Sequence, residues 1–506
     1  MIVLNLKQLL SNVLFAIILM MFNQPINISQ RNFVLIIYVV ILCIFGPTIY
    51  WITHRESPTA VPGGKNSIEK RVSLGDKILV TAHSNSAKQE GVSAFDQGDY
   101  VAAQEDFSSA LKSDRNDPEA RIYLNNTIAA KTKNPYRIGV SVPIGGDLGV
   151  AEEILRGVAQ TQTEINRDGG INGKLLMVEI ANDDNSPELA REIANVFVKD
   201  KKISAVVGHV GSNASIAAAP IYEAAGVVMI TPSSSAEALS TIGSHIFRTI
   251  PSTRDLADGL ANYAVNTAGK TNIAICVDSD AEASVSFKEN FIWAVYDYGA
   301  KVNSVNCDLS AADFNATDIP SRAISSGADA LLLAPSVRKV DKALEIAAAN
   351  DDRLTLLGNH SLNTYTTLKQ GQNDVSGMVL TVPWYPPQAK NSFTEDAQKL
   401  WGGSVNWRTA MAYDATKTIS TGMASSQERE KLQQVLANPE FTAQGATTDI
   451  SFLPSGDRNL KGTLIKIQPG NKSGTGYDFV PLDENDLLSP KSNPSTATTS
   501  PQSQSK

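Results

Sequence analysis

Residues 205–235 read AVVGHVGSNASIAAAPIYEAAGVVMITPSSS, and this stretch decides the fold. Residues 205–208 (AVVG) form an apolar run of strand length that stops at a glycine and a small polar loop. Residues 214–225 are Ala-rich and of helix length, closed by Gly226, and 227–231 (VVMIT) form a second buried strand that ends on Thr-Pro-Ser. A strand, a crossover helix and a second apolar strand make a parallel βαβ unit.

The same alternation extends in both directions. Upstream lie a strand at 137–143, a helix at 154–165 closed by Gly169-Gly170, a strand at 175–181 and a helix at 187–199. After Pro251 the pattern restarts: helix 256–268, strand 272–277, helix 286–298, strand 301–307, helix 319–326, strand 330–334, helix 337–350 and strand 355–358. Two consecutive doubly wound units predict two Rossmann-like α/β lobes.

The 506 residues are 42% hydrophobic and 19% charged, with a net charge of −8. Nucleic acid is excluded as a partner, because neutralising phosphates needs clustered Lys and Arg, and no cluster is present. The three cysteines, Cys43, Cys276 and Cys307, exclude a disulfide framework and a multi-cysteine metal site. Cys276 and Cys307 end successive predicted strands, which leaves one disulfide open in an oxidising compartment. The five histidines are scattered, with no H-x-x-x-H pair, and there is no G-x-S-x-G, no Walker-type loop and no G-x-G-x-x-G after a strand. A binding protein without cofactor or metal is expected, not an enzyme.

At the N-terminus, 33–52 (FVLIIYVVILCIFGPTIYWI) is an uncharged apolar run long enough to cross a bilayer, so 1–55 is read as a membrane segment. The shorter run 13–22 reads as a signal-like or interfacial segment. Lys7 and Arg31 before the long run balance His54 and Arg55 after it, so charge does not set the orientation. Residues 56–86 follow as a linker with Pro58, Pro62, Gly63 and Gly64. In the helical module at 87–133, Gly91, Ala103, Phe107 and Ala110 fall at the offsets of a tetratricopeptide repeat; an ordinary helical hairpin fits equally well. Residues 483–506 are Ser/Pro/Thr/Gln-rich and read as a disordered tail.

Ligands of open α/β sheets bind beyond the C-terminal ends of the strands. Two small-residue loops stand there, 209–215 (HVGSNAS) and 231–235 (TPSSS). Each offers hydroxyls and free N–H groups at a helix start, a cradle for a carboxylate, although either loop alone reads first as a helix cap. Two in one lobe favour binding.

With these residues in view, 136–481 resembles the branched-chain amino acid and amide class of periplasmic substrate-binding proteins of ABC transporters. The resemblance rests on 165–173 (INRDGGING), Asp183-Asp184, 207–212 (VGHVGS), 230–235 (ITPSSS) and Tyr413-Asp414-Ala415, in that order. It implies a type I periplasmic-binding fold over 136–482. One lobe takes about 136–250 and 384–450, the other about 251–383 and 451–482, with hinge crossings near 249–253, 382–387 and 448–452. It further implies Ser212, with Asn213 in the same loop, and Ser234 and Ser235 as ligand contacts. In the second lobe the pattern departs. Glu282 stands where an aromatic residue is usual, and His360 near the place of an acidic residue that pairs with the ligand's ammonium. Glu282 is then either a replacement carboxylate or a solvated one, and His360 either lines the cleft or caps a helix. The expected protein is a monomeric clamp tethered to the inner membrane, facing the periplasm. It would capture an amino acid, an amide or a similar small polar ligand for a membrane permease. The alternative is a ligand sensor acting through a partner protein, since about thirty residues ahead of the span leave no room for a signalling domain.

Overall fold

In the computed structural model, residues 68–386, 392–426, 428–446 and 448–482 are described. The expected membrane segment, most of the expected linker and the expected tail lie outside these residues. Among the described residues, no helix is long and apolar enough to cross a membrane.

The first lobe begins inside the stretch expected to be linker. A two-residue strand, β1 (Val72–Ser73), is followed by α1 (Ser86–Asp96), α2 (Tyr100–Ser113) and α3 (Pro118–Ala130). The βαβ series follows: β2 (Tyr136–Val142), α4 (Leu148–Arg167), β3 (Leu176–Asn182), α5 (Pro187–Lys199), β4 (Ile203–Val207), α6 (Ser212–Ala225), β5 (Val228–Thr231) and β6 (Ile246–Arg248). The sheet order is β1-β3-β2-β4-β5-β6. All neighbours are parallel except β1, which runs antiparallel along β3 with Val72 opposite Ala181. These strands are buried almost throughout, as a parallel sheet covered by helices on both faces requires.

The second lobe comprises α7 (Thr253–Asn262), β7 (Asn272–Val277), α8 (Glu282–Asp297), β8 (Lys301–Val302), α9 (Ile319–Ser325), β9 (Ala330–Ala334), α10 (Val340–Asn350), β10 (Thr355–Gly358), α11 (Tyr365–Gly371) and β11 (Val379–Val382). The strand expected at 301–307 is therefore short: Asn303 turns the chain out of the ladder by taking the Val305 N–H on its own side chain.

The chain then returns to the first lobe as α12 (Ser392–Trp401), α13 (Trp407–Ser425), α14 (Leu432–Leu436) and the short pair β12 (Ala443–Gln444) and β13 (Asp449–Ile450). It crosses a third time and ends as a hairpin, β14 (Thr463–Pro469) and β15 (Tyr477–Pro481), on the second sheet. That sheet has the order β15-β14-β11-β10-β9-β7-β8. Cys276 and Cys307 are joined by a disulfide beside the cleft end of β7.

The helix that returns to the first lobe packs tightly. A Cβ on Gly157 of α4 would stand 2.3 Å from the Thr409 carbonyl and 2.7 Å from the Tyr413 N of α13, so the two backbones touch where no side chain fits.

The helices α1–α3 are built onto the first lobe. Gly91 makes room for the Phe107 ring, 2.9 Å from where its Cβ would be. The Lys88 ammonium, wholly buried, meets Asp117 at 2.6 Å and Glu119 at 2.7 Å, and Glu119 also accepts the Leu79 N–H at 2.7 Å. The Asn126 amide exchanges two hydrogen bonds with the main chain of Val178, covering the edge of β3 that β1 leaves open.

Candidate functional site

The C-terminal ends of both sheets face one cleft, and a cavity of about 440 Å³ lies in it. The first lobe contributes Asp147, Val210 to Asn213, Ser233, Trp407 and Arg408. The second contributes Asp278, Asp280, Arg338, Lys339 and His360.

The two polar loops are fastened to each other before they face the cleft. The His209 carbonyl accepts three hydroxyls: Thr231 at 2.7 Å, Ser215 at 3.0 Å and Ser234 at 3.3 Å. Ser234 also meets Ser215 at 2.6 Å and donates to the Val210 carbonyl at 3.0 Å. The His209 ring is anchored beneath the loops, Nδ1 on Asp183 at 2.7 Å and Nε2 beside the Tyr222 hydroxyl at 3.2 Å. Asp183 in turn accepts the Ser141 hydroxyl. This fully buried network sets the loop shape.

Of the expected contacts, Ser212, Asn213 and His360 line the cavity; Ser234, Ser235 and Glu282 do not. Ser234 is spent on the loop-to-loop bonds. The Ser235 hydroxyl is buried without a partner among the described residues, and its carbonyl accepts Arg248 at 2.7 Å. Glu282 is exposed, and its part in the cleft is its N–H, which donates to the Asn213 side chain at 3.0 Å. Ser212 sits on the first turn of α6, a helix whose N-terminus has no side-chain cap, so its N–H groups are available beside the Ser212 hydroxyl.

His360 is buried, its Nδ1 has no partner among the described residues, and its ring meets Trp407 of the other lobe edge-on, centroids 5.4 Å apart. Burial, aided by the charge of Arg408, pushes its pKa down to about 3, so the imidazole is neutral. Arg408, 3% exposed, donates to the Asn363 carbonyl of the second lobe at 3.4 Å. Burial pulls its pKa down to about 10, with Asp147 and Glu153 acting in the opposite sense. Sequence reasoning missed Arg408 and Trp407. The available signal was their position at the start of the helix that carries Tyr413-Asp414-Ala415.

Besides the Glu282 N–H on Asn213, further hydrogen bonds join the lobes around the cleft. Beside Arg408 to Asn363, Asn213 donates to the Asp280 carbonyl at 2.9 Å, and Arg338 donates to the Asp184 carbonyl at 2.8 Å. Behind the cleft, Arg248 at the end of β6 reaches Asp457 of the third crossing at 2.5 Å. Arg458 beside it is paired with Asp414 of α13. The crossings are thus pinned to the first lobe by buried charges.

A periplasmic binding protein family model matches residues 135–463, more than half of the chain. The Leu/Ile/Val-binding protein of Escherichia coli (strain K12) is 26% identical over 333 residues, 64% of this chain and 87% of that protein. An amino acid binding protein of Pseudomonas aeruginosa is 35% identical over 147 residues, 28% of this chain and 39% of that protein. The solved leucine-binding protein of Thermotoga maritima superposes with a TM-score of 0.60 at 20% identity, covering 69% of this chain and all of the other, which shows the fold. Two α/β lobes, three crossings and a cleft at the strand C-termini agree with the family match: the chain belongs to the periplasmic binding protein family, with Leu/Ile/Val-binding proteins among its relatives.

Proposed function

We propose that the clamp captures a small carboxylate-bearing solute, an amino acid or a close relative, and presents it to a permease. The cavity of about 440 Å³ carries this reading, because it places the uncapped start of α6 and the Ser212 hydroxyl opposite second-lobe groups. Its size suits one small molecule. Ser212 and the α6 N–H groups receive the carboxylate, Asn213 latches the lobes over it, and His360 contributes a neutral ring from the far wall. Ser234 and Ser235 act by holding the second loop in shape, and Glu282 acts through its main chain. Closure is a hinge motion in which contacts across the cleft are gained with the ligand.

The apolar run at 33–52 would hold this monomeric clamp at the inner membrane with its cleft in the periplasm. The tetratricopeptide-like hairpin, supported by the fit of Phe107 over Gly91, would move with the first lobe as a docking element rather than as a loose spacer. The test is a thermal-shift screen of the full chain against amino acids, amides, urea-like solutes and sugars. An upward shift is expected for a carboxylate-bearing solute. Ser212→Ala should then weaken its binding by about 1–3 kcal/mol. Absence of any shift, or an unmoved affinity in the variant, would remove the reading.

A further inference from the structure

We propose that Arg408 receives a second acidic group of the ligand, so that the cleft selects a dicarboxylic amino acid or a related dicarboxylate over an apolar one. The inference rests on the capture reading above and deepens it.

Arg408 is buried, yet among the described residues no carboxylate lies within ion-pair distance of it. The two nearby acids are engaged elsewhere. Glu153 pairs with Arg156 at 2.8 Å and accepts the Thr409 hydroxyl, while Asp147 caps α4 through the Val150 N–H at 3.1 Å. The one carbonyl that Arg408 reaches among the described residues, Asn363 at 3.4 Å, is a long contact. A desolvated guanidinium without a counter-charge is unfavourable unless something else supplies one.

Its position says where that charge would sit. Arg408 lines the cavity that holds Ser212, and also an adjoining cavity of about 420 Å³ that Ser212 does not reach. Arg408 is therefore shared by the two cavities, whereas Ser212 belongs to the first alone. Beside it the unpaired Nδ1 of His360 offers a second polar group from the opposite lobe. A ligand whose first carboxylate lies on the start of α6 would carry a second one toward Arg408. The planar fork matches a carboxylate with two parallel bonds, and an amide oxygen would leave the charge uncompensated.

The experiment compares L-glutamate with L-glutamine, L-aspartate with L-asparagine, and both pairs with L-leucine, by calorimetry on the full chain. The acid of at least one pair should bind roughly tenfold or more tighter than its amide and than leucine. Arg408→Gln should erase that preference, and Arg408→Lys should keep part of it, with apo melting curves confirming that both variants fold. Should Arg408→Gln not fold, the wild-type comparison decides by itself. Equal or tighter binding of the amides or of leucine overturns this inference and leaves capture standing. So does a preference that survives in Arg408→Gln. Failure of every solute in the wider screen overturns capture and this inference together.

Discussion

Asn213, on the first turn of α6, donates its side-chain amide to the Asp280 carbonyl of the opposite lobe at 2.9 Å and accepts the Glu282 N–H at 3.0 Å. One short side chain thus spans the cleft with both its donor and its acceptor used. The two bonds exist only when the lobes are close, so they stabilise the closed form and contribute nothing to either lobe alone. Asn213→Ala should therefore weaken ligand affinity by about 1–2 kcal/mol, while the melting temperature without ligand stays near that of the wild type. Calorimetry beside a thermal melt measures both quantities. A variant that loses apo stability but keeps its affinity would show Asn213 to be a fold residue and not a latch.

Asp414 and Arg458 form a buried pair that joins α13 to the third crossing. Asp414 also accepts the Ala446 N–H at 2.6 Å, and burial pushes its carboxyl above the usual range while Arg458 opposes the shift. Removing the acid alone strands a buried cation. Asp414→Ala should cost about 3–5 kcal/mol in denaturant unfolding, and Asp414→Ala with Arg458→Met should recover part of it. A single-variant loss below about 1 kcal/mol would mean that water reaches Arg458 once the acid is gone.

The contrast between Asp414 and Arg408 shows what was legible beforehand. The doubly wound pattern could be read because parallel strands buried on both faces leave continuous apolar runs such as 205–207 and 330–334. The two loops could be read because small polar residues at strand ends have few other uses. Which hydroxyl faces the cleft could not. Ser212 and Ser234 look alike in sequence, and what turns Ser234 inward is the His209 carbonyl, 25 residues away. Arg408 and His360 lie further still from the first loops and meet them only after the chain has crossed between lobes. The docking of α1–α3 was hidden for the same reason, since Asn126 finds its partner at Val178, 52 residues on.

The disulfide between Cys276 and Cys307 closes a loop over a separation of 31 residues. Constraint of the unfolded chain by a loop of that size is worth about 3–4 kcal/mol. The same region carries Asp278 and Asp280 to the cleft, with Ser279 bonded to Asp308 at 2.7 Å just beyond the bridge. Reduction, or Cys276→Ala with Cys307→Ala, should lower the denaturation midpoint by a corresponding amount and weaken the ligand bound between the lobes. Guanidinium titrations with and without reductant test this, and a wild-type midpoint indifferent to reductant would refute it.

His360 gives the chain an acid sensitivity of its own. Its pKa is pushed down to about 3 in the folded protein, first by burial and then by the charge of Arg408, against about 6.5 when unfolded. With the folded value depressed, the unfolded chain binds the proton more readily. The contribution is fully present above about pH 6.5 and is lost as the pH falls toward 3, at about 1.4 kcal/mol per pH unit. Asp147 and Glu153 stand near Arg408 and carry charges of their own, so the isolating comparison is with His360→Gln. That variant keeps a polar side chain against Trp407 but takes up no proton. Between pH 6 and 4.5 its unfolding free energy should fall less steeply than that of the wild type, by close to one proton's worth of slope. Parallel slopes would mean that His360 is reached by water in the folded state, and would place it outside the closed wall of the cleft.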